Sequence, residues 1–111
     1  MVRSIGNMVL GALLVMPRIC LAASGEPYAI VIKDHKFNPP RLIVPAGKKI
    51  KLTIENQDPT AEEFESYQLN REEVVDPGQK IAVYLGPLKP GVYGYFGEKN
   101  PKTAQGVIAA Q

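Results

Sequence analysis

The 111-residue chain is poor in the side chains that cross-link small domains or bind soft metal ions. It has no tryptophan, one cysteine, one histidine and three methionines. The cysteine, Cys20, and all three methionines lie within the first two dozen residues. A chain shortened by that segment therefore forms no disulfide within itself and offers no thiolate or thioether to a metal ion.

Those first two dozen residues have the layout of a secretory signal peptide. Arg3 supplies positive charge, residues 5–16 form a mainly apolar run, and small residues follow at 22–24. The run is shorter than the ~20 residues that a helix needs to span a bilayer. We therefore predict a cleaved signal peptide over residues 1–23, export to the periplasm, and a single mature domain over residues 24–111. The cut falls after Ala22 or Ala23.

The charge balance of the mature domain excludes some partners. Without Arg3 and Arg18, Lys plus Arg falls from 13 to 11 and equals the 11 Asp plus Glu. A formal charge near zero argues against nucleic acid and against anionic membranes as partners. A domain of under ~90 residues can fold alone but has a small core.

Strand signals recur at short spacing along the mature domain. The clearest covers Lys48–Asn56, where Ile50, Leu52 and Ile54 alternate with polar residues. Further strands are predicted at residues 28–34, 41–45, 64–69, 79–85, 91–96 and 106–110, separated by turns rich in proline and glycine. No sustained helical period is present, although a short helical turn is predicted over residues 70–75. About seven strands predict an all-β antiparallel sandwich or barrel.

The order of these segments resembles that of cupredoxins. Ile-Val-Ile-Lys-Asp-His-Lys-Phe-Asn-Pro-Pro at 30–40 and Leu-Ile-Val-Pro-Ala-Gly at 42–47 resemble the first two strands. Lys-Pro-Gly-Val-Tyr-Gly-Tyr-Phe-Gly at 89–97 resembles the strand before the copper-ligand loop, and residues 106–109 resemble the last strand. The resemblance covers residues 28–110 and implies a cupredoxin-like Greek-key β-sandwich.

The ligands of a blue-copper site are missing from this pattern. In the family, copper is bound by one histidine after an Asn-x-Asp turn and by a cysteine, a second histidine and usually a methionine before the last strand. Here the first histidine position falls at Glu62 or Glu63. The other three positions fall near Gly97, Asn100 and Thr103. Without a thiolate, the resemblance does not extend to a type 1 copper centre.

A narrower resemblance involves acidic residues. Ala-Glu-Glu-Phe-Glu-Ser at 61–66, with Asn-Pro-Lys at 100–102, is similar to the cupredoxin-like domains of bacterial iron-uptake systems, namely the EfeO-type domain and the small FtrB-like periplasmic cupredoxin. Glu63 and Glu65 match that family's acidic residues on either side of an aromatic one. The resemblance implies a role in ferrous-iron uptake, with iron or copper as the bound ion. It also implies a membrane iron permease and other periplasmic iron-uptake proteins as partners.

Part of the EfeO-type pattern is not matched. That type carries two cysteines near its site, where this chain has Phe37 and either Phe96 or Gly97. The cysteine part of the site is therefore not carried over.

Glu63 and Glu65 share one face of a strand if Phe64 belongs to the core. Neighbouring like charges are unfavourable unless a cation lies between them, and carboxylates suit iron. We therefore predict a metal site formed by Glu63 and Glu65, joined by Glu62 from the adjoining turn and by His35 if its loop approaches. A solvated acidic edge, a partner-docking patch and pairing with Lys or Arg remain open alternatives.

The predicted function is that of a periplasmic accessory protein that binds iron or copper through carboxylates and hands iron or an electron to a membrane permease complex. Two alternatives remain, a copper-dependent ferroxidase and a metal-free module that docks a partner. A single histidine without cysteine or methionine ligates copper poorly, which weakens the first. Tyr95 is predicted to be a core residue; alternatively, Tyr95 or Glu98 lines the pocket that the copper ligands vacate. Residues 71–73 are predicted to form a solvated face.

Overall fold

The structure, a computed structural model, describes residues 27–111, which form nine strands. In chain order they are β1 (Ala29–Lys33), β2 (Lys36–Asn38), β3 (Arg41–Val44), β4 (Ile50–Asn56), β5 (Glu62–Ser66), β6 (Arg71–Val75), β7 (Lys80–Leu85), β8 (Gly91–Gly97) and β9 (Gln105–Ala110). No helix in this part of the chain is long and apolar enough to cross a membrane. The predicted signal peptide and its cleavage position lie outside the described residues.

The strands form two sheets packed as a sandwich. One sheet has the order β2-β1-β4-β7 and the other the order β3-β9-β8-β5-β6. β1 is parallel to β4 and β3 is parallel to β9, whereas the other neighbours are antiparallel. The predicted all-β sandwich is confirmed. Two short strands, β2 and β6, bring the number to nine, and the two parallel pairs are a feature that alternation within single strands does not encode.

The core lies between the sheets, and most of its residues alternate with more exposed ones along their strands. Ile50, Leu52 and Ile54 of β4 are buried as predicted, and Ile30 and Ile32 of β1 pack with them. The core also contains Phe37, Val44, Phe64, Val75, Val83, Leu85, Tyr95 and Ile108. Burying such a side chain contributes about 1.5–3 kcal/mol, so this core is the main source of stability in a domain without disulfides.

The short helical turn predicted over residues 70–75 is wrong, because Arg71–Val75 is strand β6. Asn70 has a φ of 56°, and its N–H donates to the carbonyl of Tyr67 at 3.2 Å, which closes a hairpin turn between β5 and β6. Asparagine tolerates this left-handed conformation better than most residues. The turn also explains why β5 ends at Ser66, whereas the predicted strand ran to residue 69.

Candidate metal centre

Strand β5 divides its glutamates between the two faces of the five-stranded sheet. Glu62, Phe64 and Ser66 are buried, whereas Glu63 and Glu65 are half-buried. Five consecutive residue pairs join β5 to β6, so no bulge interrupts the period of two. Glu63 and Glu65 therefore share the outer face of this sheet, as the sequence predicts.

Strand β6 adds a third carboxylate to this outer face. In the register between β5 and β6, Glu65 lies opposite Glu72 and Glu63 lies opposite Val74. Glu63, Glu65 and Glu72 each place one carboxylate oxygen within 4.8 Å of the others. We call these three residues the carboxylate cluster. The sequence alone puts Glu72 on a solvated face, and only a correct assignment of the hairpin turn at residues 67–70 would have found this contact.

The carboxylate cluster concentrates negative charge. Partial desolvation raises the pKa of Glu63, and a hydrogen bond to Glu72 and the charge of Glu72 raise it further. Glu98 acts in the same direction, whereas Lys99 lowers this pKa. The pKa of Glu65 is also raised, first by desolvation and then by its glutamate neighbours. Either a proton or a cation relieves like charges that lie this close together.

Glu62 lies on the opposite face and does not join the carboxylate cluster. Its side chain is 1% exposed, and its Oε1 accepts hydrogen bonds from the N–H groups of Glu63 at 2.8 Å and Lys99 at 2.9 Å. Its Oε2 accepts a hydrogen bond from Nδ2 of Asn100 at 2.8 Å. Both oxygens are thus engaged, and the bonds from Lys99 and Asn100 join β5 to the segment between β8 and β9.

His35 lies in the turn between β1 and β2. The φ angle is 59° at His35 and 52° at Asp34. The carboxylate of Asp58 accepts hydrogen bonds from the N–H of His35 at 2.9 Å and from the N–H of Asp34 at 2.7 Å. The Nδ1 atom of His35 lies 3.7 Å from Oδ2 of Asp58. The structure therefore brings together two of the four sequence-predicted ligands and leaves His35 beside Asp58.

A groove of about 640 Å³ crosses the outer face of the five-stranded sheet. Gly94 and Val107 line it, and at one wall the rings of Tyr67 and Phe96 meet edge to face with 5.5 Å between their centroids. Phe96 lies opposite Glu65 in the register between β5 and β8. This outer-face groove therefore places an apolar surface next to the carboxylate cluster.

Comparison with known proteins identifies the family. The model of the cupredoxin-like domain matches residues 6–110. The chain belongs to the cupredoxin-like domain family. It is 53% identical over 79 residues to Uncharacterized protein RP394 of Rickettsia prowazekii (strain Madrid E), and this match covers 71% of the chain and 63% of that protein. The matched part of this cupredoxin-like chain thus spans less than two thirds of that relative's length.

Solved cupredoxins have the same fold. A purple cupredoxin from Nitrosopumilus maritimus has a TM-score of 0.60 and 18% identity, over 76% of this chain and 99% of that one. Amicyanin from Paracoccus versutus has a TM-score of 0.61 and 18% identity, over 76% of this chain and 80% of that one. Auracyanin A, a blue copper protein from Chloroflexus aurantiacus, has a TM-score of 0.64 and 12% identity, over 75% of this chain and 96% of that one. The predicted cupredoxin-like fold is confirmed.

The residues of this cupredoxin-like domain do not fit a type 1 copper ion. Three of the positions that resemble copper-ligand positions, Glu62, Gly97 and Asn100, meet in the structure. A Cβ on Gly97 would lie 2.6 Å from the carboxylate carbon of Glu62 and 2.7 Å from Cβ of Ala104, so a cysteine has no room there. Residues 27–111 contain no cysteine, and their one histidine lies beside Asp58. Copper electron-transfer sites use a thiolate and imidazoles as ligands, and a hydrogen-bonded carboxylate does not replace them.

Tyr95 is part of the aromatic core of this domain. It is 3% exposed, and its ring centroid lies 4.8 Å from that of Phe64 and 5.1 Å from that of Phe37. Burial raises the pKa of its phenol, and its hydroxyl has no hydrogen-bond partner among the described residues. Of the two roles that the sequence left open for Tyr95, the structure supports core packing.

Proposed function

We propose that this cupredoxin-like protein is a periplasmic accessory protein of ferrous-iron uptake that binds a metal ion. The carboxylate cluster holds the ion, and the protein hands iron or an electron to a membrane permease complex. The observation that carries the proposal is the convergence of three carboxylates within 4.8 Å on the outer face of the sheet. Export rests on the layout of residues 1–23 and the link to iron on the resemblance of residues 61–66.

The ligand set suits a hard cation that is held loosely. Carboxylate oxygens favour ions such as ferric, ferrous or manganous ions over soft ones. Three carboxylates leave coordination positions for water or for a ligand from a partner, which allows the ion to be passed on. Glu62 is left out of the ligand set because both its oxygens are engaged, and His35 because it lies beside Asp58.

The test is calorimetric titration of the mature chain, residues 24–111, after all metal has been stripped. Ferrous ion under anaerobic conditions, ferric, cupric and manganous ions are titrated in turn. We expect binding that is lost in the Glu63→Ala, Glu65→Ala double variant and weakened by Glu72→Gln. The matched control is Glu73→Gln, which removes a charge from the opposite face of the same strand and should leave binding intact. Equal binding by the double variant and the wild type would exclude the cluster as the site.

The outer-face groove favours a second candidate function, a metal-free module that docks a partner. The side chain of Tyr67 is 79% exposed and contacts Phe96 at the edge of the carboxylate cluster. An exposed apolar surface next to negative charge suits a partner segment that presents an apolar side chain beside a lysine or arginine. In this case the cluster pairs with the partner's cation instead of a metal ion.

The two candidates differ in what binds to the carboxylates. An NMR titration with phenylalanyl-arginine amide, a small probe with a ring and a cation, reports on docking. Shifts at Tyr67, Phe96 and the cluster that are lost in both Tyr67→Ala and Glu65→Gln, with no binding of any ion, would favour the docking module. Ion binding that Tyr67→Ala leaves unchanged would favour the metal-binding protein.

A further inference from the structure

Residues 98–104, which connect β8 to β9, are organised around the carboxylate of Glu62. The N–H of Lys99 and Nδ2 of Asn100 both donate to it. The carbonyl of Asn100 in turn accepts hydrogen bonds from the N–H groups of Thr103 at 3.2 Å and Ala104 at 2.8 Å. Asn100 therefore links the buried side chain of Glu62 on β5 to Thr103 and Ala104 at the far end of this segment.

Gly97 makes space for that carboxylate. Its φ is not positive, so the backbone conformation does not require glycine there. Any side chain at this position would overlap the carboxylate carbon and Oε2 of Glu62, both 2.6 Å from an ideal Cβ. Glu62 and Gly97 are therefore complementary, and any side chain at position 97 requires a smaller residue at position 62.

We infer that the carboxylate of Glu62 replaces the metal ion of the cupredoxin centre in this protein and carries out its structural task. It joins β5 to residues 98–104 and closes this end of the sandwich without an ion. Glu62 is thus a positioning residue and not a metal ligand. The copper position of the fold is filled by the chain itself, so an ion bound by this protein binds elsewhere.

The chemistry of the contacts supports this assignment. All three groups that face Glu62 are N–H donors, and hydrogen bonds from such donors to a carboxylate are stronger than neutral ones. A metal ion binding to either oxygen would have to displace these bonds and leave buried donors unpaired, which is unfavourable. The inference does not depend on the carboxylate cluster, which lies on the other face of β5.

The hydrogen bond between Glu62 and Asn100 is tested by exchanging donor and acceptor. Asn100→Asp puts a second carboxylate against Oε2 of Glu62, and we expect Tm to fall by about 5–10 °C at neutral pH. Adding Glu62→Gln supplies a donor and should restore most of that loss. Adding Glu63→Gln, a matched change on the other face, should raise Tm only by as much as it does in the wild-type background, through the carboxylate cluster. If Asn100→Asp lowers Tm equally with and without Glu62→Gln, the inference is overturned.

The replacement of the metal is tested in the Glu63→Ala, Glu65→Ala variant, which lacks the proposed ion site. Its Tm and the NMR signals of the Asn100 side-chain amide are compared after chelation and after addition of zinc or cuprous ion. We expect no difference between the two states. Ion-dependent shifts at Asn100 that disappear with Glu62→Gln would make Glu62 a ligand and overturn the inference. Failure of the carboxylate cluster to bind ions would be seen separately, in the wild-type titration.

Discussion

Glu65 on β5 and Glu72 on β6 lie directly opposite each other, two like charges in register on the outer face of the five-stranded sheet. Such a cross-strand pair destabilises the folded protein. A cation bound between the two carboxylates removes the repulsion and stabilises the folded state in proportion to its affinity. The proposed ion site therefore predicts that stability and ion binding are coupled through this strand pair.

Replacing Glu72 by glutamine should stabilise the metal-free protein at neutral pH. The pKa values of Glu63 and Glu65 are raised in the folded state, so the folded protein binds protons more tightly than the unfolded one. Stability is therefore lost as pH rises through the raised pKa values, and the repulsion is absent at low pH where both carboxyls are protonated. Glu72→Gln should raise Tm at pH 7, and the gain should vanish below about pH 4.

Thermal unfolding in the presence of a chelator, at a series of pH values, measures this effect. The control is Glu73→Gln, whose side chain lies on the opposite face of β6 and should show no such pH-dependent gain. A Glu72→Gln protein no more stable than the wild type at pH 7 would show that the cluster is not under electrostatic strain.

Gly97→Ala should destabilise the protein by about 1–3 kcal/mol, the usual range for overpacking. The added methyl group would overlap the carboxylate of Glu62, which three hydrogen bonds hold in place, and Cβ of Ala104, which cannot move without the backbone. Gly94→Ala is the control, because its Cβ would meet only the amide end of Gln68, at 3.3 Å. Urea unfolding gives both values, and equal losses for the two variants would be incompatible with a tightly filled site around Glu62.

Tyr95→Phe should not reduce stability, although it changes a core residue. The hydroxyl is buried without a partner among the described residues, so its removal gains up to about 1 kcal/mol of unfolding free energy. In contrast, Tyr93→Phe loses a hydrogen bond to the carbonyl of Lys89 at 2.7 Å and should lower stability by about 0.5–1.5 kcal/mol. Urea unfolding measures the free energy of unfolding of both variants. A loss of more than about 1 kcal/mol in Tyr95→Phe would mean that the hydroxyl of Tyr95 has a stabilising partner.

The strands that alternation predicts are those with large apolar side chains on one face. β4 is predicted correctly because its alternate residues Ile50, Leu52 and Ile54 are all large, apolar and buried in the core. β6 has charged residues at its first three positions, so it lacks the alternation that indicates a strand. The same residues are also compatible with a helical turn. Its strand conformation comes from pairing with β5, which is a property of the hairpin and not of the segment.

The candidate site shows the same limit. That Glu63 and Glu65 share a face follows from a period of two, a local property. Glu72 joins them only through the register between β5 and β6, and Glu62 is buried because its partners come from Lys99 and Asn100, 37 and 38 residues further along the chain. Contacts between distant residues of this kind are not contained in any local pattern, so the sequence alone places neither Glu62 in the interior nor Glu72 beside Glu63 and Glu65.

Ion binding by the carboxylate cluster should weaken steeply as the pH falls. Metal ligands must be deprotonated, and the pKa values of Glu63 and Glu65 lie above the ordinary glutamate value. Affinity should therefore begin to decline at a higher pH than for an isolated carboxylate, by on the order of tenfold per pH unit for each carboxyl that must lose a proton. Manganous ion titrations between about pH 4 and pH 7, a range that begins near the ordinary glutamate pKa, measure this slope. Glu72→Gln should shift the onset to lower pH because it removes one source of repulsion, whereas Glu73→Gln should leave the profile in place. A binding constant that does not change over this range would place the ion at ligands other than these glutamates.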